Sequence, residues 1–388
     1  MRTTYHVVVI GGGSTGAALV HDLVLRGFKV TLVERGELTS GTAGRHHGLL
    51  HSGGRYAVND QESAIECIEE NIILRKIAPG SFEENDGLFV AITDEDVAYL
   101  DKFLAGCETC HIPTRVLTAA QVKRLEPHIN PQVKLAVQVP DATMDCWRLP
   151  MRFFATAKHN GADIRPYNEV IGMLITAGTV TGVRVRSHVT GQEYDLKADI
   201  VVNATGAWAE KVSEMAHARV PVKPTPGVMV AVRGRWCNMV INRLNKPSDG
   251  DIIVPQRGLS VIGTTSWTVE DPDRLGLPED HVRRMFEKGG ELIPAVKHAP
   301  MRAAWAAARP LIAEGGAQEG RELPRTFKCF DHKVRDGIEG LVTISGGKGT
   351  TMRAMAEATA NVVCDKLGLD IPCRTKEVVL LPYWAYYQ

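Results

Sequence analysis

The stretch RHHGLLHSGGRYAV (45–58) gathers three histidines, two arginines, a tyrosine and three glycines into fourteen positions. Imidazoles exchange protons near neutral pH, guanidinium forks hold anions, and glycines let backbone amides come close to a bound group. Residues of these types suit a reaction in which charge develops on an oxygen as its proton departs. His51 is the candidate proton acceptor, and its alternative role is a hydrogen bond to a cofactor or to a backbone carbonyl. The histidines form no H-x-x-x-H or H-E-x-x-H pair on a helix, and adjacent His46 and His47 diverge, so no metal site is expected. No G-x-S-x-G elbow points to a hydrolase.

The elements that must position this loop begin upstream of it. HVVVI (6–10) is a continuous apolar strand, GGGSTG (11–16) a glycine turn, AALVHDLVLR (17–26) a helical pattern, and KVTLVE (29–34) a second strand ending in an acid. This is one β-α-β unit with a G-x-G-x-x-G fingerprint at Gly11, Gly13 and Gly16. The first glycine permits the turn, the second lets backbone approach a pyrophosphate, and the third lets helix and strand pack closely. The helix N-terminus faces the phosphates, and Glu34 is placed to accept hydrogen bonds from ribose hydroxyls. An NAD dehydrogenase would continue promptly with further β-α units. Here a long polar, glycine-rich loop follows, and two later glycine turns, NATGAWA (203–209) and SGGKGTT (345–351), close apolar strands. A large cofactor touched from several sides, FAD, suits that arrangement better.

Bulk properties narrow the field. The chain has 388 residues, 44% hydrophobic and 23% charged, as expected of an ordinary globular protein with room for two domains. Lys+Arg and Asp+Glu both number 45, so there is neither a basic field for nucleic acid nor an acidic tail. No apolar run is long enough to span a bilayer, and the N-terminus lacks the pattern of a signal peptide, so the cytoplasm is the expected compartment. Eight scattered cysteines argue against a disulfide framework. Cys107-Glu-Thr-Cys110-His111 has the letters of a haem attachment site, but it falls in a helical pattern and reads as cysteines at a helix end.

Farther along, helices are expected over 60–78, 95–110, 117–129, 151–164, 280–293 and from the SGGKGTT turn to 368. Strands are expected at 86–92, in a meander before DIVVNATG, and at GVMVAV, DIIVP and LSVIGTTS. The predicted architecture is α/β: a Rossmann-like nucleotide domain in three pieces (1–80, 135–215, 336–388), with an interleaved α+β substrate domain (81–134, 216–335) on an antiparallel sheet.

Six segments carry a family resemblance: VIGGGSTGAALVHDLVLRGFKVTLVER, TAGRHHGLLHSGGRYAV, NRLNKPSDGDIIVP, VIGTTS, ARPL and ISGGKGTTMRAMAE. Together they resemble the FAD-dependent glycerol-3-phosphate dehydrogenases, within the wider family of D-amino-acid and glycine oxidases, nearest to the FAD subunit of the anaerobic, quinone-linked enzyme. The resemblance implies FAD, oxidation of a secondary alcohol on a phosphorylated polyol, and electrons passed to a quinone or a partner subunit. It implies a D-amino-acid-oxidase-type fold, and a membrane association, if any, through partners or a peripheral patch. It places Arg55, Tyr56, Arg309, Arg325 and Lys348 at the substrate, with Arg309 at the reacting oxygen and Arg55 and Lys348 on the anion. Around the cofactor it implies Ser14, Thr15, Arg35, Thr42, Arg45, His46, His47, Gly48, Leu50, Val170, Ala204, Thr205, Gly206, Trp208, Gly347, Lys348, Gly349, Thr350 and Thr351. Arg243 and Arg353 read as solvated surface charges.

Two departures stand out. The anaerobic enzyme's FAD subunit continues into a cysteine-rich iron–sulfur domain, whereas this sequence ends at LLPYWAYYQ, and Cys364 and Cys373 lack cluster spacing. The expectation is a truncated or shorter relative, or another route for the electrons. The family also has GGKLTTYR where this chain has GGKGTTMR, so Gly349 and Met352 are expected near the meeting of flavin and substrate. The rival readings are a 2-hydroxy-acid or amino-acid oxidase whose arginines bind carboxylate, a flavin-carrying subunit inactive by itself, and an NAD-binding regulator.

Overall fold

A strand as uniformly apolar as HVVVI needs cover on both faces. In the computed structural model, which describes residues 4–313, 323 and 325–388, His6–Ile10 lies within a six-stranded sheet, with Lys29–Val33 on one side and Ile200–Asn203 on the other, both parallel. Asp163–Arg165 extends the sheet past Lys29–Val33, and Leu341–Gly346 extends it past Ile200–Asn203. Phe327–Asp331 adds an antiparallel edge. Helices Ser14–Leu25, Arg148–His159 and Met352–Lys366 bury one face around Val7, Val9, Leu19, Phe153 and Met355. The other face, with Val8, Ile10 and Val33, is covered by the antiparallel meander Asn168–Thr176, Thr179–Ser187 and Glu193–Lys197.

The second large sheet has eight strands. Its order is Met301–Ile312, Val222–Arg233, Leu259–Gly263, Ile252–Gln256, Val240–Arg243, Gly87–Ala91, Leu135–Val139 and Arg115–Thr118. All neighbours are antiparallel except Val240–Arg243 and Gly87–Ala91, which are parallel, so the expected antiparallel sheet is a mixed one. Two stretches sit in a different sheet from the one the sequence division gives them. Leu135–Val139, placed with the nucleotide part, pairs with Gly87–Ala91, while Phe327–Asp331, placed with the substrate part, pairs with Leu341–Gly346. Short apolar strands look alike, and only long-range pairing decides which sheet takes them. Residues 1–3, 314–322 and 324 of the predicted domains lie outside the described residues.

Met301–Ile312 is the strand that the sequence hides. MRAAWAAARPLI is rich in alanine, which is depleted in strands and favoured in helices. It is held extended by antiparallel pairing with Val222–Arg233, in which Arg309 stands opposite Thr225 and Ala307 opposite Gly227. A bulge between Ala231 and Val232 leaves Arg302 as the extra residue on its partner strand.

Elsewhere, the helix expected at 151–164 runs Arg148–His159. Pro150 is accommodated in the first turn, where no helical N–H is lost, and 163–165 are strand. Cys107 and Cys110 are buried free thiols at the end of helix Leu100–Thr109, and burial pushes Cys107 up to about 12. Arg353 is not a surface charge. It is buried, ion-paired to Glu70 of helix Gln61–Ile77 and to Glu357 Oε2 at 2.7 Å, and it donates to Thr375 Oγ1 at 3.0 Å. Arg243 likewise pairs with Asp96 at 3.0 Å and Glu291 at 2.6 Å. Both arginines pin helices to their neighbours rather than serving the site.

Candidate active site

A cavity of about 1480 Å³ runs between the two sheets. One end is made largely of backbone. Gly11, at φ +107°, turns so tightly that a Cβ would lie 2.8 Å from the Ala204 carbonyl oxygen, and a Cβ on Gly16 would lie 2.0 Å from that of Gly11. Gly13 is different: a Cβ there would approach only Ala43, at 3.8 Å, so the space above it is open. Gly13 is the N-cap of helix Ser14–Leu25 with no side-chain cap, which leaves the first N–H groups turned outward as an anion site. Glu34 lines the cavity, its carboxylate accepting from Gly12 N at 2.7 Å and Gly36 N at 2.8 Å.

Arg35 and Trp208 line the same end, with the guanidinium 4.8 Å from the indole centroid. Asp273, from the substrate side, accepts from Arg35 Nη2 at 2.6 Å, Trp208 Nε1 at 2.9 Å and Lys211 Nζ at 3.2 Å. Although burial works the other way, those donors hold its carboxyl down at about 2.

The histidine loop forms the middle of the cavity. His46, His47, His51 and Tyr56 stand as a row of rings, with successive centroids 6.3, 6.2 and 5.4 Å apart. Burial pushes His46 down to about 4. His51 is pushed to about 3, by burial first and then by Arg55, Lys348 and His46. His47 is driven well down by burial and its charged neighbours, and among the described residues its buried Nδ1 has no hydrogen-bond partner. All three imidazoles are therefore neutral at pH 7. The loop is anchored from behind. His51 N donates to Thr350 Oγ1 at 3.1 Å, the His51 carbonyl accepts from Asn71 at 3.1 Å, and Ser52 N donates to the buried Asp141 at 2.7 Å.

The far end collects cations from four parts of the chain. Arg55 pairs with Asp251 at 2.7 Å and donates to the Ser248 carbonyl at 3.3 Å. Lys348 reaches the Arg325 carbonyl at 2.9 Å and Glu66 at 3.4 Å, with its ammonium 5.2 Å from the Tyr56 ring centroid. Burial pulls its pKa down, but Cys67, Tyr56, Glu66 and Asp60 outweigh burial and raise it, so Lys348 stays charged. Arg309 donates to Thr264 Oγ1 and, at 3.3 Å, to the Thr225 and Thr265 carbonyls. Its guanidinium occupies the space that a side chain at 227 would need, since a Cβ on Gly227 would lie 2.6 Å from Nη2. Arg325 lines the same end, its backbone N–H tied to Asp60 at 3.2 Å.

Most residues named from the sequence face this one cavity: Gly11, Gly13, Ser14, Thr15, Glu34, Arg35, Thr42, Arg45, His46, His47, His51, Arg55, Tyr56, Val170, Ala204, Thr205, Gly206, Trp208, Arg309, Arg325, Gly347, Lys348 and Gly349. Gly16, Gly48, Leu50, Thr350 and Thr351 stand behind its wall. A Cβ on Gly48 would strike the Gln256 amide, Leu50 is in the core, and Thr351 Oγ1 accepts from Lys348 N at 3.1 Å. Met352, expected beside the reacting centre, is buried in the core under the six-stranded sheet, because the helix starting there turns it away. Gly349 does line the cavity, where a Cβ would come 3.2 Å from His46 Nε2. Sequence reasoning missed Asp251, Glu66, Thr264, Gly227 and Asp273. None is near its partner in sequence, and only Asp251 and Thr264 lie in segments that carry the family likeness.

The uncapped helix, the open space over Gly13, Glu34 and the orphaned His47 nitrogen fit a flavin dinucleotide stretched along the cavity. The fold and this site define a flavin-dependent oxidoreductase. The family model described as DAO, FAD dependent oxidoreductase, matches residues 6–361, and the chain belongs to that family. It is 41% identical over 376 residues to one subunit of the anaerobic glycerol-3-phosphate dehydrogenase of Escherichia coli (96% of this chain, 69% of that one). It is 43% identical over 392 residues to a subunit of the Haloferax volcanii anaerobic glycerol-3-phosphate dehydrogenase (97% and 66%). The chain thus spans about two thirds of the length of these curated relatives. Its fold is shared with a Bacillus halodurans glycerol-3-phosphate dehydrogenase complexed with FAD, at TM-score 0.75 and 24% identity (98% of this chain, 68% of that one). It is shared too with a Bacillus cereus glycine oxidase, at TM-score 0.72 and 24% identity (94% and 96%).

Proposed function

We propose that this chain oxidises sn-glycerol 3-phosphate, or a close polyol phosphate, to the corresponding ketone, dihydroxyacetone phosphate. The observation that carries the reading is the convergence of Arg55, Arg309, Arg325 and Lys348 at one end of a cavity whose other end is made for a dinucleotide. Bound FAD supplies the acceptor for the hydride that leaves the alcohol carbon. The chain's own residues have three tasks. Arg55, Lys348, Arg325 and the Tyr56 hydroxyl receive the substrate anion. Arg309, braced by Thr264 and backbone carbonyls, faces the reacting oxygen and offsets the charge that develops there. His51 is neutral at working pH and so in the form that accepts the hydroxyl proton. As an imidazolium beside Arg55 and Lys348 it would release that proton promptly.

The electrons leave to a quinone or a partner subunit, in keeping with relatives that are named as subunits. No helix among the described residues is long and apolar enough to cross a membrane, so a membrane-bound acceptor would be met through a partner or a peripheral surface in the cytoplasm. The test is anaerobic mixing of the FAD-loaded protein with sn-glycerol 3-phosphate, with 2-hydroxyglutarate and glycine as controls. Bleaching of the visible flavin band by the phosphate alone supports the reading. Bleaching by a control alone moves the chain to the carboxylate oxidases, and no bleaching by any of them makes it a carrier subunit.

A further inference from the structure

The resident charges at the reacting end largely cancel. Arg55 is held by Asp251, a nearly buried pair, and Asp251 also accepts from Ser248 N at 2.6 Å. Lys348 is held by Glu66, and Asp60 and Glu62 line the same end. Arg309 and Arg325 bring the cations at this end to four, against the four carboxylates Asp251, Glu66, Asp60 and Glu62, so a phosphate dianion needs positive charge beyond this balance. Lys246 lines this cavity, is exposed, and pairs with no carboxylate among the described residues.

Its backbone is fixed to the site. Two residues on, the Ser248 carbonyl accepts from Arg55; Asp249 pairs with Arg284 at 2.8 Å, and Gly250 N donates to the Thr264 carbonyl at 3.3 Å. The turn 246–251 therefore binds both Arg55 and the segment that braces Arg309, while leaving one long cationic side chain in water at the cavity wall.

We infer that Lys246 is a substrate-binding residue that closes on the phosphate beside Arg55 and sets the preference for phosphorylated over carboxylate substrates, an inference that rests on the function proposed above. An ammonium on a flexible stem, strongly hydrated when free, suits a group that engages only when the dianion arrives. Asp251 is the positioning residue that keeps the Arg55 fork and the turn together.

The experiment titrates the FAD-loaded protein with inorganic phosphate and, separately, with acetate by calorimetry, comparing wild type with Lys246→Ala, Lys246→Arg and Lys297→Ala. Lys297 is exposed, does not line the cavity, and controls for net charge. Phosphate binding about tenfold weaker in Lys246→Ala is expected, a loss of one favourable ion contact (about 1.4 kcal/mol). Acetate binding should change less than twofold, Lys246→Arg should restore most of the phosphate affinity, and Lys297→Ala should match wild type. Unchanged phosphate binding in Lys246→Ala, an equal loss for phosphate and acetate, or a wild type that does not bind phosphate would each overturn it. A wild type that binds phosphate through Lys246 yet is not bleached by sn-glycerol 3-phosphate would sink the proposed substrate and leave the anion site standing.

Discussion

At its dinucleotide end the cavity offers backbone: three glycines, an uncapped helix and one acid, all within residues 11–34. At its reacting end it offers side chains, and each is held by a residue far away in sequence: Arg55 by Asp251, Lys348 by Glu66, Arg309 by Thr264. The first end recognises what every member of the family binds and has little freedom to vary. In the function proposed above the second sets substrate and rate, through pairs that can be exchanged without disturbing the strand–turn–helix. Between them lie three imidazoles kept neutral by burial, which gives the middle of the cavity its own dependence on pH.

Substitutions at the two ends should therefore fail in different ways. Gly16→Ala places a methyl 2.0 Å from the Gly11 oxygen, and its expected outcome is a protein that purifies without flavin, read from the visible spectrum. Arg309→Ala should retain its flavin and slow anaerobic reduction by about 10²–10³, the cost of losing one charge-stabilising donor. A colourless Arg309→Ala, or a yellow and slow Gly16→Ala, would erase the distinction.

The middle is tested by acid. His46 and His51 fall from an ordinary 6.5 to about 4 and about 3 in the folded chain. The unfolded chain binds their protons first, so their stability is fully present above pH 6.5 and is lost as pH falls toward 4 and then 3. By that linkage His46 contributes on the order of 3 kcal/mol and His51 on the order of 5 kcal/mol. Asp141, pushed up to about 6 by burial, acts in the opposite sense, stabilising at low pH and losing that contribution as pH rises through 6. Other buried groups shift in both senses, His21 downward and Asp22, Glu70 and Glu126 upward, but they are common to wild type and His46→Asn; the wild-type thermal midpoint of the apoprotein, taken relative to that of His46→Asn, should therefore drop from pH 6.5 to 4. A flat profile would mean that the row of rings is solvated.

The smallest effect belongs to Asp273. Its bonds to Arg35, Trp208 and Lys211 join the substrate side to the dinucleotide end, but they are exposed pairs of modest worth. Asp273→Asn should speed FAD release about threefold at low salt, and the difference should vanish in high salt. A larger loss that salt does not touch would make this contact part of the cofactor site itself.

What was legible in the sequence follows the same division. The glycine turn, its helix and Glu34 could be read because the motif is local, each residue's reason lying within one β-α-β unit. Arg309, Arg325 and Lys348 were named by likeness to a family; nothing in ARPL alone reveals that Gly227 and Thr264 make room for the guanidinium and hold it. Arg353 looked like a surface charge because its partner Glu70 is on another helix. Met352 looked like a site residue because it stands where the family's GGKLTTYR turn has tyrosine, although the helix that starts there carries it to the core. The alanine-rich strand was invisible for a related reason: its extended form is imposed by its partner, against its own propensity.

That strand has a consequence for how the protein can vary. Arg309 faces the cavity only because every residue between it and the bulge at Ala231 and Val232 is in register with Val222–Arg233. Side chains alternate along a strand, so adding or deleting one residue between Ala303 and Arg309 would turn the guanidinium to the opposite face. Met301–Ile312 thus works as a ruler: its alanines can be exchanged for other small residues, but its length cannot change. Insertions in this lineage are to be sought in the turns, and among the described strands this one should keep a constant number of residues for as long as Arg309 serves the site.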